Sequence, residues 1–270
     1  MSETSIKSTS IYTPSLSSLE VELLSTWERE RRSLLTTEQI RQVLGPGAAR
    51  RVASSLVRKH VLARVGRGTY WVRPFRSILR ETAPSPVTVA AALLSDERYY
   101  LGGRWALTFH RLSRQQYISV IDAFVTRRHA PINLPASKLA FHVIPSAGMS
   151  YGLDQIAFDG IQVVMSDVER TLLDLLDYRS ILGIERALSQ FVLGLGRANS
   201  AQLIRYAAKG SRVSTCQRLG VLLERARLPD RQLAPLRRKV RASNSLLSML
   251  PAKGRCGHVN TRWKIVENDV

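Results

Sequence analysis

The chain has 270 residues, with 40 Lys and Arg against 21 Asp and Glu, and a formal net charge of +19. Its 44% hydrophobic content and its length suit two ordinary packed domains, and no run approaches the ~18 apolar residues of a membrane span. A charge of this size repels itself and favours an anionic partner, nucleic acid before a membrane surface. The latter would call for a basic amphipathic helix with Trp, Phe or Leu on its other face, and no stretch reads that way.

The charge is unevenly placed. Residues 1–20 are net −1, residues 21–80 net +9, residues 81–196 net −1, residues 197–264 net +14, and the tail −2. Residues 1–17 are rich in Ser and Thr without an apolar h-region, so they read as a flexible arm and not a secretory signal. With no leader and two isolated cysteines, Cys216 and Cys256, a reducing cytoplasm is expected. Leu16, Leu19, Leu23, Leu24 and Trp27 then form a helical stripe around Ser17-Ser18, where an N-cap is expected.

From Ser33 to Pro74 the pattern is helix, tight turn, helix and β-ribbon. Thr36 and Gln39 have capping-box spacing, and Ile40, Val43 and Leu44 form one apolar face. Gly45-Pro46-Gly47 ends that helix, and a second is predicted from about Ala48 to Lys59. Ala49, Val52, Ala53 and Leu56 share its apolar side, whereas Arg51, Ser54, Ser55 and Arg58 share another. A short, basic, hydroxylated face of that kind suits entry into a DNA major groove. Val61–Val65 and Thr69–Val72 read as strands around Gly66-Arg67-Gly68, which gives a winged helix-turn-helix over residues 18–82. The same helical hairpin could instead be a solvated surface or a protein-interaction module; the coincidence with the first basic block favours DNA.

Ala83-Pro84-Ser85-Pro86 marks a boundary near residue 83, so residues 83–270 are read as the second domain, strand-containing to about 165 and then mostly helical and basic. A helix begins near Pro86. Tyr99 to Gly103 is a turn or close backbone approach, and Arg104–Leu112 another helix. Tyr117–Val125 and Leu139–Ile144 are strands joined through a loop at 129–135, and Tyr151–Val164 is a hairpin turning at Asp159-Gly160. Ser166 to Glu169 has capping-box spacing ahead of a helix through Tyr178. Helices follow at Ile184–Leu193, Ala201–Lys209, Val213–Arg227 and Arg231–Arg241, and Val259–Val266 alternates as one terminal strand. The fold class expected is α+β: a winged helix-turn-helix, then a mixed α/β domain ending in a helical region.

Chemistry is sparse. A metal nuclease needs converging carboxylates, and the candidates are Asp154, Asp159, Asp167, Glu169, Asp174 and Asp177. Asp159 is explained by its turn, and Asp167 and Glu169 by a helix start, where acids complement the macrodipole. The five histidines lack ligand spacing, and no nucleophile motif or phosphate loop is found. No catalytic residue, metal site or cofactor is expected. In the C-terminal block, Arg225, Arg227, Arg231, Arg237, Arg238, Lys239 and Arg241 are secondary candidates for DNA phosphates or an acidic partner.

The chain resembles the AbiEi-type antitoxins, the transcription-regulating partners in type IV toxin–antitoxin (abortive infection) systems. The resemblance covers nearly all of the chain after the arm. It rests on the order and spacing of RVGRGTYWVRP, YYLGGRWALTFHRLS, SDVERTLLDLLDY, RLGVLLER and HVNTRWKIVEND. It implies a non-enzymatic protein that binds double-stranded operator inverted repeats and represses its own operon. It also implies antagonism of a nucleotidyltransferase-like toxin without a stable complex. The oligomeric state is left open, a monomer binding cooperatively included. The DNA-contacting set implied is Arg50, Arg51, Ser54, Ser55 and Arg58 on the second helix, Lys59 at its end, and Arg64, Arg67 and Thr69 in the ribbon. A winged-helix regulator of another operon with a sensing C-terminal domain, or a Mg-dependent DNA-processing enzyme, are the alternatives.

Overall fold

The computed structural model describes residues 15–30, 34–73, 85–134, 137–158 and 161–269. The fold is mixed α+β. It divides into two compact units, one of Met1–Asp96 and Ala157–Gln162, the other of Glu97–Ile156 and Val163–Val270. The expected boundary near 83, the 159–160 turn and most of the arm lie outside the described residues.

The first unit opens with α1 (Ser18–Glu30). Glu20 accepts from the Ser17 backbone N–H at 2.7 Å, half of a capping box. Leu23 and Trp27 are buried, and the Trp27 indole donates to the Leu34 carbonyl at 3.1 Å. Leu16 and Leu19, expected in that stripe, are instead exposed. Next come β1 (Leu34–Thr36), α2 (Thr37–Leu44) and α3 (Pro46–Arg58), then β2 (Leu62–Gly66) and β3 (Thr69–Val72). The capping box of α2 forms as the spacing predicts: Thr36 accepts from the Gln39 N–H, and the Gln39 side chain accepts from the Thr36 N–H at 2.8 Å.

The α2–α3 turn is tighter than the sequence suggests. Gly45 alone, at φ +77°, caps α2 through a 2.8 Å bond to the Arg41 carbonyl and precedes Pro46, the first residue of α3. Proline at that position needs no N–H partner, so the second helix starts two residues before Ala48. The three strands form an antiparallel sheet ordered β1-β3-β2. The sequence reading missed β1, which exists through its register with β3. Leu23, Leu35, Ile40, Val52, Leu56 and Leu62 fill the core between helices and sheet. The unit also takes in α4 (Pro86–Leu93), capped by Ser85. Leu93 packs so close to Gly66 that a Cβ there would lie 2.8 Å from it.

A six-stranded sheet, most of it in the second unit, comprises β4 (Tyr99–Gly102), β5 (Val120–Val125), β6 (Ile132–Leu134), β7 (Ser137–Val143), β8 (Leu153–Phe158) and β9 (Ile161–Ser166), ordered β6-β7-β5-β4-β9-β8. β5 runs parallel to β7 and β4 parallel to β9, whereas β4–β5 and β6–β7 are antiparallel. Residues 132–134 are thus an edge strand where a loop was expected, recruited by pairing with β7. Helices α5 (Gly103–Phe109), α6 (Val168–Asp177), α7 (Ile184–Leu195), α8 (Ser200–Gly210), α9 (Val213–Arg225) and α10 (Asp230–Arg241) complete the helical part.

The expected single C-terminal strand is two, β11 (His258–Asn260) and β12 (Ile265–Glu267), antiparallel and joined through Lys264 at φ +51°. β12 also pairs in parallel with β10 (Leu247–Ser248). Trp263, between them, is fully buried against Gly220 of α9, where a Cβ would sit 2.2 Å from the indole ring. Any larger residue at 220 and Trp263 cannot both keep their places.

Candidate nucleic-acid interface

α3 buries Ala49, Val52, Ala53 and Leu56 and turns the rest outward. Arg51, Ser54 and Arg58, at i, i+3 and i+7, are exposed on one side, with Arg50 exposed beside them. No acid lies in the first turn, and no side chain caps the N-terminus. Residues 46–73 as a whole carry seven Lys and Arg and no Asp or Glu, so nothing in that stretch offsets their field. At the hairpin, Arg64 and Arg67 are exposed. The turn is anchored: the Thr37 N–H donates to the Gly68 carbonyl at 2.7 Å and its hydroxyl does so at 3.2 Å. Gly68, at φ +71°, lacks room for a side chain beside Thr37.

Two of the residues implied as DNA contacts face inward. Lys59 donates to Glu20 at 2.6 Å, and Glu20 is 1% exposed. The Ser55 hydroxyl also bonds that carboxylate. Burial pushes the Glu20 pKa up, but the hydrogen bonds from Lys59, Ser17 and Ser55 outweigh it and hold the carboxyl at about 2. Lys59 therefore fastens α3 to α1, with half-buried Ser55 beside the same carboxylate. Thr69 is half-buried in the sheet, in register with Thr36 and Gly66. The outward set is Arg50, Arg51, Ser54, Arg58, Arg64 and Arg67.

The C-terminal set divides the same way. Arg225 grips Glu267 and Asp269, both at 2.6 Å. Arg237 holds Asp230 at 2.6 Å, and Lys239 caps α8 through the Ala207 and Ala208 carbonyls, both at 3.2 Å. Arg227, Arg231, Arg238 and Arg241 are exposed with no ion-pair partner among the described residues. The last three lie on the outer side of α10, away from buried Leu233, Leu236 and Val240.

Of the carboxylates considered for metal chemistry, Asp167, Glu169, Asp174 and Asp177 are occupied by the fold, and Asp159 lies outside the described residues. Asp167 caps α6, accepting from the Arg170 N–H at 2.7 Å, and takes a Tyr206 hydroxyl bond at 2.9 Å. The N-cap is thus Asp167, not Ser166, because Glu169 is drawn off to accept from the Asn199 N–H at 2.6 Å. Asp174 is bound by Arg170 at 2.8 Å and the Tyr100 hydroxyl at 2.8 Å; burial pushes its pKa up against the pull of Arg170. Asp177 accepts from the Arg212 N–H and the Thr215 hydroxyl, and Asp154 is exposed on β8. Among the described residues, no group of three His, Cys, Asp or Glu side chains is placed to hold a metal ion.

A buried cluster that the sequence reading missed centres on Asp122. It accepts from the Arg104 backbone N–H and Nε, both at 2.9 Å, from Arg104 Nη2 at 2.6 Å and from His142 Nε2 at 2.8 Å. Those bonds, Arg104 chief among them, hold its carboxyl below the usual range although burial pushes the other way. Gly103 makes this possible: at φ +55°, any Cβ would lie 2.6 Å from Asp122. Gly-Gly-Arg followed by a distant buried Asp was the available signal. The arrangement ties α5 to β5, as an anchor of the fold.

No protein-family model matches the chain, and no curated protein does. It is similar to the crystal structure of the RV2827C protein from Mycobacterium tuberculosis, with a TM-score of 0.60 and 14% sequence identity over 94% of this chain and 92% of that one. At that identity the likeness is one of fold. No helix among the described residues is long and apolar enough to cross a membrane.

Proposed function

We propose that the chain is a cytoplasmic DNA-binding autorepressor and antitoxin of a type IV toxin–antitoxin operon. In this reading α2, α3 and the β2–β3 hairpin act as a winged helix. α3 enters the major groove of operator inverted repeats with Arg51, Ser54 and Arg58, and Arg67 at the wing tip grips the backbone. The second unit counters a nucleotidyltransferase-like toxin without forming a stable complex. Neither role requires a cofactor.

The observation that carries the DNA part is the outward face of α3 in a stretch with seven cations and no acid, where, among the described residues, Lys59 alone is paired with a carboxylate. A Mg-dependent enzyme is less well supported, since Asp167, Glu169, Asp174 and Asp177 are each engaged inside the fold. The antitoxin part rests on the resemblance of the five motifs.

The test compares binding to DNA from directly upstream of the gene with scrambled DNA of equal length, at low and near-physiological salt. Binding that survives salt only on the upstream fragment supports an autoregulator. Equal binding to both that vanishes with salt removes the operator from the reading and leaves a general nucleic-acid grip. Co-expression with the neighbouring gene product then tests the antitoxin role, and unrelieved growth arrest would end it.

A further inference from the structure

Along the outer face of α7 runs a groove of about 760 Å³, walled by Leu188, Val192 and Leu193 on one side and Leu222 and Leu250 on the other. The inward face of α7 is conventional, with Ala187 and Phe191 fully buried. The outward face is not. Val192 is 57% and Leu193 54% exposed, neighbouring apolar side chains on the lip of a concave apolar surface.

The charge on this groove differs from its surroundings. Residues 197–264 are net +14, yet the ionised residues lining the groove are Glu185 and Asp269 against Arg225 and Lys253. Arg225 is already neutralised by Asp269 and Glu267. A charge-balanced apolar surface offers nothing to a phosphate backbone. It is, however, where two chains of +19 can approach without strong repulsion. A two-fold contact meets its own surface, so a rim of one sign would repel itself, whereas a rim of both signs lets Glu185 or Asp269 of one copy meet Lys253 of the other. The 12 residues of α7 span about 18 Å, enough to lay one helix along another.

We propose that this groove docks a second copy of the chain, α7 against α7 about a two-fold axis. The inference stands on the surface itself and does not require the DNA reading. Its salt response is distinctive. Salt screens the repulsion between like-charged copies and so strengthens this contact, the opposite of its effect on binding to DNA.

The test is sedimentation equilibrium of the nuclease-treated full chain over roughly 1 to 200 µM, at low and high salt. The expected result is a rise from the 30.2 kDa monomer towards twice that mass, at lower concentration when salt is high. The double variant Val192→Asn with Leu193→Asn, which removes apolar area but adds no charge, should weaken association by about tenfold or more. Its thermal unfolding should match wild type at concentrations where both are monomeric, since both side chains point outward. A wild-type mass of 30.2 kDa throughout overturns the proposal. So does a folded double variant that associates as well as wild type, or association that salt weakens.

Discussion

The two basic blocks look alike in composition and differ in what their charges do. The second carries more cations, but Arg225, Arg237 and Arg262 are held by carboxylates, and Lys239 and Lys264 by backbone carbonyls. Arg218 is buried against the Met249 and Ser248 carbonyls, and burial pulls its pKa down to about 10. The first block has fewer cations, yet those on α3 and the hairpin are exposed, apart from Lys59. The number of cations in a segment therefore overstates what the second block offers a partner. What reaches a partner is the charge left after internal pairing.

The largest effect expected from this comparison comes from Lys59. Lys59→Met strands the buried Glu20 carboxylate and should cost about 3 kcal/mol of stability, read by chemical denaturation. The non-specific DNA salt slope should hold, because Lys59 is not among the free charges. The same pair makes stability depend on pH. Glu20 is held at about 2, below its unfolded value, so its contribution is complete above pH ~4.5 and is lost as pH falls towards 2. Wild type should lose stability through that window, and Glu20→Gln should flatten the loss; equal acid sensitivity in both would break the assignment.

Next in size, Arg51→Ala or Arg58→Ala should weaken operator binding by about 1–3 kcal/mol and relax preference at one base position. Thermal stability should move by less than about 0.5 kcal/mol, as expected of exposed residues. Smaller again, Arg231→Ala, Arg238→Ala and Arg241→Ala should each lower the salt slope on any DNA by about one ion if that side of α10 touches phosphates. Arg225→Ala should leave the slope alone and lower the melting temperature. A slope that responded equally to Arg225 and Arg238 would erase the distinction between paired and free charge.

Local signals were legible in the sequence and long-range ones were not. The Thr36–Gln39 capping box, the Ser85–Pro86 helix start and the helices of the last third are written in neighbouring residues and formed within a few positions of expectation. β1 and β6 are three residues each and exist through partners far along the chain, so no window of sequence announces them. The candidate site failed in the same manner. Lys59 looked free because Glu20 lies 39 residues away, and Arg225 because its acids lie 42 and 44 residues on. The Gly-Gly-Arg of YYLGGRW and the glycine of RLGVLLER were visible as motifs. Their reasons, Asp122 and Trp263, became visible only when the chain was folded.

The slot that Trp263 fills over Gly220 has a consequence in time. The helix–sheet core around Leu23, Ile40 and Leu56 draws on residues no further along than Val72, whereas the core that holds Trp263 is incomplete until residue 263 has been made. At ribosomal speeds of ~5–20 residues per second, roughly ten to forty seconds separate the two. For that interval a growing chain carries a first helix–sheet core able to assemble ahead of an α9 with an open wound in its flank. A message truncated before codon 263 would leave the wound open for good, and quality control would meet a finished head on an unfinished body.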